Sequence, residues 1–464
     1  MRLVVKYGGS SIAGAGQVGA VARYVAGLAA GNEVAVVCSA PGGTTDELLR
    51  IADLAGGGDR GAASDAASGI AASCAGLAGA AAEGDAREEL LARIRSDSAE
   101  LAALVDGMAL LGEVTPRSRD HLLSFGERLS AAVLSAAISG AGAPSVPLTG
   151  KEAGIMTDSN FGASRPLMDT TRRRVSKEVG SLVSGGTVPV VGGFAGADQH
   201  GRVTTFGRGG SDYTAAIVGS CIGADEIWLM SDVAGLMTAD PRVVPGASLI
   251  GRVTYAEAVE MALFGAKQIH PRTFEPVLEA GIPMRIRSST DTENPGTLVH
   301  GGEPEGAGDA AKCVSSIRGC GLVDIRGGSM VGTPGTAGRI FERLARAGVN
   351  VMMISQNPSE SSITIVVRNS DLDGAVRALE GGLHEPGIRK LDVTTEVAII
   401  ALIGAGMRGA VGVASRAFGA VERRGINVMM ITQGSSELNL AFVVRNGDAD
   451  GAVQALHEAF GLGA

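Results

Sequence analysis

The chain has 464 residues, enough for two to four domains, because single hydrophobic cores rarely grow beyond about 250–300 residues. Its composition, 45% hydrophobic and 19% charged, is typical of a globular protein and excludes an intrinsically disordered chain. The net charge of −9 disfavours nucleic acid as a partner. Five cysteines without any C-x-x-C spacing predict neither a disulfide framework nor a zinc site. With no signal-peptide pattern and no membrane span of about 20 apolar residues, we predict a cytoplasmic protein.

The first 299 residues read as strands alternating with helices. "RLVVKY" (2–7) is a short strand that ends at a glycine pair, an apolar stripe at helical spacing follows over 18–28, and "EVAVVCSA" (33–40) is a second strand. Continuous apolar runs at 187–194, 225–232 and 282–289 are typical of strands buried on both faces. We predict an α/β domain at 1–299, with a mainly parallel central sheet flanked by helices, followed by a linker at 300–312.

An internal repeat fills the C-terminal part. "RAGVNVMMISQ" (346–356) recurs as "RRGINVMMITQ" (423–433), and "VVRN" (366–369) recurs at 443–446, both at an offset of 423 − 346 = 77 residues. Two copies of one unit follow from this identity. Each copy predicts a ferredoxin-like βαββαβ module, the first at 313–390 and the second at 391–464. The sequence leaves open whether the modules lie side by side or are nested.

The second copy contains a G-x-G-x-x-G pattern at Gly404, Gly406 and Gly409, which taken alone would predict dinucleotide binding. The first copy has Ser329 in place of the middle glycine. Too few residues follow the pattern to complete a dinucleotide fold. We therefore interpret these glycines as shaping a turn from strand into helix.

Three glycine-rich clusters follow predicted strands in the first 299 residues. They are "KYGGSS" (6–11), "TTFGRGGSDYTA" (204–215) and "SDVAGLMTADPR" (231–242). Backbone N–H groups in such loops, with a nearby lysine or arginine, can bind phosphate or carboxylate. A Walker A sequence is absent, and a tight turn or a helix cap is the structural alternative for each cluster.

In order and spacing, these clusters resemble the signatures of aspartate kinases. Further matching segments are "VVCSAPGGTTDELL" (36–49), "SFGERLSA" (124–131) and "FGAKQIHPRT" (264–273). The C-terminal repeat resembles the paired ACT domains of these enzymes, so the resemblance covers nearly the whole chain. It implies an amino-acid kinase fold and transfer of the ATP γ-phosphoryl group to the β-carboxylate of L-aspartate.

The resemblance also implies a role for individual residues. The expected catalytic residues are Lys6, Asp212 and Lys267. The expected phosphate-binding backbone is that of Gly8, Gly9 and Ser10. Residues expected to bind L-aspartate are Ser39, Thr45, Glu127, Arg208 and Ser211, with Arg208 on the α-carboxylate and Glu127 on the α-ammonium. The nucleotide is expected at Ser231, Asp232, Met237, Arg242 and Lys267.

Mg²⁺ is expected as well, held mainly by ATP phosphates and water, so no protein ligand cluster is predicted.

Some of the residues named above also have a purely structural interpretation. Glu127 lies beside Arg128 and would also suit a surface ion pair, Lys267 would suit a solvated loop, and we expect His270 to be structural. Met237 stands where an aromatic residue is usual near the adenine.

Feedback control by an amino acid is the expected role of the repeat. The candidate effector-binding residues are Asn350 and Gln356 and their equivalents Asn427 and Gln433. The pattern resembles threonine- or lysine-responsive enzymes, and threonine is slightly favoured. We also expect a homodimer or higher homo-oligomer formed through the modules. The alternatives are another acyl-phosphate-forming kinase, such as a glutamate kinase, and a catalytically silent amino-acid sensor.

Overall fold

Two compact units make up the chain in this computed structural model, which describes residues 1–265, 269–302, 311–327, 334–357, 361–381 and 389–463. The first unit comprises Met1–Leu236, Gly251–Tyr255 and Gln268–Gly302. The second comprises Met237–Ile250, Ala256–Lys267 and Glu303–Ala464. Much of the predicted linker, 303–310, lies outside the described residues, so the domain boundary stays a prediction.

An eight-stranded sheet forms the centre of the first unit, in the order β3-β4-β2-β1-β7-β9-β10-β8. The strands are β1 (Arg2–Tyr7), β2 (Glu33–Cys38), β3 (Ser145–Leu148), β4 (Val188–Gly192), β7 (Glu226–Ser231), β8 (Arg252–Thr254), β9 (Met284–Ser288) and β10 (Thr297–His300). A separate hairpin joins β5 (Ala195–Ala197) to β6 (Val203–Thr205). The first six strands in the order run parallel, and β10 joins β9 antiparallel.

The helices of the first unit cover this sheet, which explains why its strands read as continuous apolar runs. They are α1 (Ala15–Ala29), α2 (Thr44–Gly56), α3 (Arg60–Ala81), α4 (Gly84–Leu111), α5 (Pro116–Gly140), α6 (Met168–Ser184), α7 (Gly210–Ile222) and α9 (Glu275–Ala280). Of the described helices, only α5 is long and apolar enough to cross a membrane, and 78% of its apolar window is buried inside the protein. It is packed as a core helix.

The six parallel strands end on one edge of the sheet, because parallel strands share their direction. These ends are Tyr7, Cys38, Leu148, Gly192, Ser231 and Ser288. The three glycine-rich clusters predicted from the sequence follow β1, β6 and β7. In open parallel sheets, ligands bind at this carboxyl edge.

The second unit is built on a six-stranded antiparallel sheet in the order β12-β13-β11-β14-β16-β15. Its strands are β11 (Cys313–Arg326), β12 (Val351–Gln356), β13 (Ser362–Arg368), β14 (Lys390–Ile403), β15 (Met430–Thr432) and β16 (Asn439–Arg445). Its helices are α10 (Thr336–Arg346), α11 (Asn369–Glu380), α12 (Val413–Arg423) and α13 (Ala449–Ala459), and α8 (Tyr255–Leu263) continues into it from the first unit.

Two long central strands interleave the repeat copies. Residues 320–326 of β11 pair with β13, residues 397–403 of β14 pair with β16, and the two long strands pair with each other along their whole length. The first module is therefore β12-β13-β11-β14 and the second β15-β16-β14-β11. Each module is therefore completed by a strand from the other copy of the repeat. A division of the chain at residue 390 separates the two copies but leaves out this exchange of strands.

A segment that the sequence places within 1–299 also belongs to the second unit. Ala239 and Val244 of the segment Met237–Ile250 pack into the apolar core of the second module, beside Leu456 and Phe460. The buried His457 on α13 lies 2.9 Å from the Thr238 hydroxyl and fixes the same segment. Burial of these side chains holds the segment on the second module, although it follows β7 directly in sequence.

Candidate functional site

The lysine at the end of β1 forms a short ion pair. Lys6 Nζ lies 2.6 Å from Asp212 Oδ1, and the two side chains are only 13% and 11% exposed. Asp212 lies in the first turn of α7, which begins directly after Gly209. Gly209 has φ +71°, a left-handed conformation that favours glycine. This glycine turns the chain into the helix and brings the predicted acid and lysine together.

The glycine pair after β1 allows two loops to pack backbone against backbone. A Cβ on Gly9 would lie 2.4 Å from the carbonyl oxygen of Ala40, and no side chain fits there. The N–H of Gly42 donates to the carbonyl of Gly9 at 3.1 Å. Ser39 is anchored in the same way, since its N–H donates to the Tyr7 carbonyl. The predicted phosphate-binding residues Gly8, Gly9 and Ser10 therefore lie beside the predicted substrate residue Ser39.

Glu127 on α5 is buried, with 5% exposure, so the alternative of a surface ion pair with its neighbour is wrong. Arg128 instead contacts Asp97 and Glu100 at 2.6 and 2.8 Å. Burial raises the pKa of Glu127 to about 8, although a hydrogen bond from the Ala40 backbone opposes the shift. Its Oε2 atom is buried without a hydrogen-bond partner. A buried acceptor with an unfilled bond is rare and suits a ligand that brings a donor.

Arg208 lies exposed on the loop between β6 and α7, where its side chain contacts no hydrogen-bond acceptor or carboxylate of the described residues. Gly207 and Gly209 on either side both have positive φ. A Cβ on Gly209 would lie 2.4 Å from the Cβ of His270. His270 also accepts the N–H of Arg272 through Nδ1 at 3.3 Å, which fits the structural role expected for it. The loop is thus closely packed while the guanidinium faces outward.

The remaining residues predicted to bind aspartate or the nucleotide lie in both units of the chain. Ser211 is buried at the start of α7, and Thr45 is exposed in the first turn of α2. Ser231 donates to Asp232 at 3.0 Å at the end of β7. Met237 and Arg242 belong to the second unit, where Arg242 is exposed and paired with Asp240 at 2.6 Å. Lys267 lies outside the described residues. All these roles remain predictions.

Sequence reasoning missed two residues that fix the Arg208 loop. Asp120 on α5 is 1% exposed and accepts three hydrogen bonds from Gly162 and Thr205. Arg272 donates to the carbonyls of Phe206 and Ser164 and stacks over the ring of Tyr213. Asp120 looks like an ordinary helical aspartate in the sequence, so nothing local indicates its role. Arg272 belongs to the sequence motif "HPRT" (270–273), but the motif by itself does not indicate a role for the arginine.

The four candidate effector-binding residues occupy equivalent places in the two modules. Asn350 directly precedes β12, Asn427 lies three residues before β15, and all four side chains are exposed. Gln356 ends β12, whereas Gln433 directly follows the shorter β15. Their polar groups are therefore accessible to a small ligand, and binding there stays a prediction.

Comparison with known proteins identifies the family. The sequence profile of the amino acid kinase family matches residues 1–288, and that of the ACT domain matches 323–383 and 400–460. An aspartokinase of Corynebacterium efficiens is 33% identical over an alignment that covers 100% of this chain and 97% of that protein. The chain belongs to the aspartokinases of the amino acid kinase family. The resemblance seen in the sequence is confirmed, and with it the fold class and the phosphotransferase activity.

Other members of the family agree with this assignment. An aspartate kinase of Pseudomonas fluorescens is 35% identical over 82% of this chain and 91% of its own length. The structure of E. coli aspartokinase III in complex with aspartate and ADP matches with a TM-score of 0.82 at 28% identity, covering 99% of both chains. A second structure of that enzyme, with lysine and aspartate, matches with a TM-score of 0.81.

Proposed function

We propose that this aspartokinase converts ATP and L-aspartate into ADP and 4-phospho-L-aspartate, the first committed step towards the aspartate-derived amino acids lysine, threonine and methionine. The observation that supports this most directly is the carboxyl edge of the first sheet. There a buried carboxylate with an unfilled hydrogen bond, Glu127, occurs in the same unit as the Lys6–Asp212 pair and the exposed Arg208. Aspartate carries groups complementary to Glu127 and Arg208: one ammonium and two carboxylates.

The reaction needs no general base. The β-carboxylate of aspartate has a reference pKa of about 3.9 and is ionised at neutral pH. Its oxygen forms a bond to the γ-phosphorus of ATP while the bond from that phosphorus to the bridging oxygen breaks, so ADP leaves with the electron pair. The main barrier is repulsion between an anion and a polyanion, which cations and oriented backbone dipoles reduce.

In this scheme Lys6 lies between the acceptor carboxylate and the phosphates. Asp212 holds its ammonium at 2.6 Å and so fixes its position before substrates bind. The backbone N–H groups of Gly8, Gly9 and Ser10 donate to phosphate oxygens, and Lys267 supplies a second cation. Ser39, Thr45 and Ser211 add hydrogen bonds to aspartate. Ser231, Asp232, Met237 and Arg242 contact the nucleotide.

Mg²⁺ accompanies ATP in this proposal, neutralising phosphate charge. The described residues contain no group of three or more His, Cys, Asp or Glu side chains placed to hold a metal ion. In this proposal the magnesium ion keeps most of its ligands from ATP and water, as the ion commonly does in kinases. The protein's own contribution is then to position the two substrates around it.

Control by an amino acid through the two ACT modules is the second part of the proposal. E. coli aspartokinase III has been solved with lysine, and by analogy Asn350, Gln356, Asn427 and Gln433 contact threonine or lysine here. Coupling of about 1–3 kcal/mol would change the affinity for substrate by 5- to 150-fold. We further propose a cytoplasmic enzyme that assembles as a homodimer or larger homo-oligomer through these modules. An effector panel tests the regulation: the proposal fails if neither amino acid changes activity or melting temperature.

The catalytic proposal is tested by trapping the acyl phosphate. The protein is incubated with Mg-ATP and hydroxylamine, together with aspartate, glutamate or N-acetylglutamate, and hydroxamate is measured. Signal with aspartate alone supports the proposal. Signal with glutamate instead would favour the glutamate kinase alternative and overturn the roles of Arg208 and Glu127, and no signal with any acid would favour a silent sensor.

A further inference from the structure

A fully buried carboxylate lies on α5 outside the residues assigned above. Asp120 is 1% exposed, and both of its oxygens accept hydrogen bonds. Oδ2 accepts the N–H of Gly162 at 2.9 Å and the N–H of Thr205 at 2.8 Å, while Oδ1 accepts the Thr205 hydroxyl at 2.8 Å. Among the residues that the structure describes, no lysine or arginine is bonded to it. A buried anion held only by neutral donors fixes those donors firmly, because breaking any bond leaves charge unsatisfied.

Both donors lead directly to Arg208. Thr205 ends β6, three residues before the arginine. The carbonyl oxygen of Gly162 lies 3.1 Å from the position that a Cβ would take on Gly207. Ser164 reinforces the arrangement, since its N–H and hydroxyl both donate to the Thr205 carbonyl at 2.9 Å. Asp120 therefore locates both the strand that enters the loop and the backbone that the loop rests on.

The same helix carries the other end of the proposed aspartate site. Glu127 follows Asp120 by seven residues, two helical turns or about 10 Å along the axis, and returns to nearly the same face. A Cβ on Gly126 would lie 2.6 Å from the Cβ of Ala40, so α5 is also tightly packed at this level. The helix α5 thus carries both Glu127, proposed to bind the ammonium of aspartate, and Asp120, which holds the loop of Arg208. Arg208 is the residue proposed to bind the α-carboxylate.

We infer that Asp120 is a positioning residue that sets the spacing between Glu127 and Arg208, and thereby the length of amino-acid substrate that the site accepts. The inference rests on the proposed function, because it uses the roles given to those two residues. Asp120 contacts no substrate in this scheme. It acts through Thr205 and Gly162, so its loss should weaken aspartate binding and leave ATP binding unaffected.

The test compares three variants of the full chain by steady-state hydroxamate formation. Asp120→Ala should raise KM for aspartate at least about tenfold with KM for ATP nearly unchanged, because small displacements of a binding group have large effects. Asp120→Ala should also lower the ratio of kcat/KM for aspartate to kcat/KM for glutamate. Asp120→Asn should restore KM to within about threefold, since its amide oxygen can accept both N–H groups and its NH₂ can donate to the Thr205 hydroxyl.

Asp198→Ala is the matched control. Asp198 is equally buried and accepts bonds from the backbone and side chain of Arg202, from the His200 backbone and from Ser159. It lies at the turn between β5 and β6, away from the end of β6 that leads to Arg208. Its loss should lower the melting temperature with KM for aspartate changed less than about twofold, since a change in stability alone does not alter binding.

The outcomes separate the inference from the proposed function. If the wild-type protein forms no hydroxamate with aspartate, the proposed function fails. If the wild type is active and Asp120→Ala keeps its KM for aspartate, or changes both KM values and kcat in parallel, the inference alone is overturned. If Asp120→Ala does not fold, Thr205→Val decides, because it removes one bond of the three: a rise of about threefold or more in KM for aspartate supports the inference, and an unchanged KM overturns it.

Discussion

Lys6 in the first unit and Lys312 in the second each contact a buried carboxylate. Lys6 Nζ lies 2.6 Å from Asp212, and Lys312 Nζ lies 3.1 Å from Glu257, with both lysines about equally buried. The surroundings differ. Glu257 is completely buried, and its second oxygen accepts the N–H of Ala405 at 2.9 Å, which attaches α8 to the second module. Lys6 instead lies near the carboxyl end of β1, beside the glycine pair Gly8 and Gly9 and close to Asp212.

A second contrast separates two buried glutamates. Glu257 has both oxygens bonded within its own unit, whereas Glu127 has one buried oxygen without a partner. Burial alone therefore does not distinguish a functional acid from a structural one. The two glutamates differ in whether the protein itself completes the hydrogen bonds, and an unfilled buried acceptor such as Glu127 Oε2 suits a ligand that brings a donor.

The largest effect is expected for Lys6→Met, which removes the cation proposed to stabilise charge during transfer. We expect kcat to fall about 10²- to 10³-fold, the size seen when one preorganised donor is lost from an active site. Hydroxamate formation at saturating substrates measures it. Lys177→Met is the control, because Lys177 is exposed and weakly paired with Glu178 at 3.7 Å. If Lys6→Met kept a tenth of the activity, the role of Lys6 would be wrong.

Lys312→Met should act on stability instead. It removes the cation beside a completely buried carboxylate, and such changes destabilise proteins by about 3 kcal/mol or more. Denaturant unfolding of the variant measures the loss. Lys390→Met is the matched control, since its 2.6 Å pair with Asp392 is exposed and should contribute little to stability. Equal losses in the two variants would contradict the structural role of the Lys312–Glu257 pair.

Glu127→Gln keeps the shape of the side chain but removes the charge proposed to bind the aspartate ammonium. We expect KM for aspartate to rise about 10- to 100-fold with KM for ATP little changed, since hydrogen bonds to charged groups contribute about 1.5–3 kcal/mol. Glu100→Gln, an exposed acid paired with Arg128, serves as the control. A similar change in both KM values would argue against a specific ammonium site.

The pH dependence of stability sharpens the same contrast between the two buried glutamates. The pKa of Glu127 rises from an ordinary value of 4.5 to about 8 in the folded protein. Its contribution to stability is therefore complete below pH 4.5 and is lost as the pH rises through about 8, by up to about 1.4 kcal/mol per pH unit. The unfolding free energy of the wild type minus that of Glu127→Gln should fall across this window. A flat difference would show that Glu127 is already ionised when buried.

Bound aspartate should oppose this loss, since its ammonium stabilises the ionised carboxylate. Thermal stabilisation by aspartate should therefore increase between about pH 6 and about pH 8 in the wild type, and the increase should be absent in Glu127→Gln. The paired measurement distinguishes titration of Glu127 from titration of other groups in the protein.

The sequence by itself determined the local structure and the family. The apolar runs predicted β1, β2, β4, β7 and β9, because a strand buried on both faces needs apolar side chains throughout. The offset of 77 residues predicted two copies of one module, and the glycine-rich motifs identified the aspartokinase family. These features are local, so a short stretch of residues is sufficient to specify them.

Only the tertiary structure determined those features that depend on contacts between residues far apart in the sequence. The exchange of strands between the modules arises because β11 and β14 pair along their full length, although their pairing residues are tens of residues apart in sequence. Met237–Ile250 joins the second unit because its apolar side chains are buried on α13, about 200 residues later. Asp120 and Glu127 are ordinary helical acids until packing removes water from both. Only the folded chain shows that one has its hydrogen bonds completed by Thr205 and Gly162 and that the other does not.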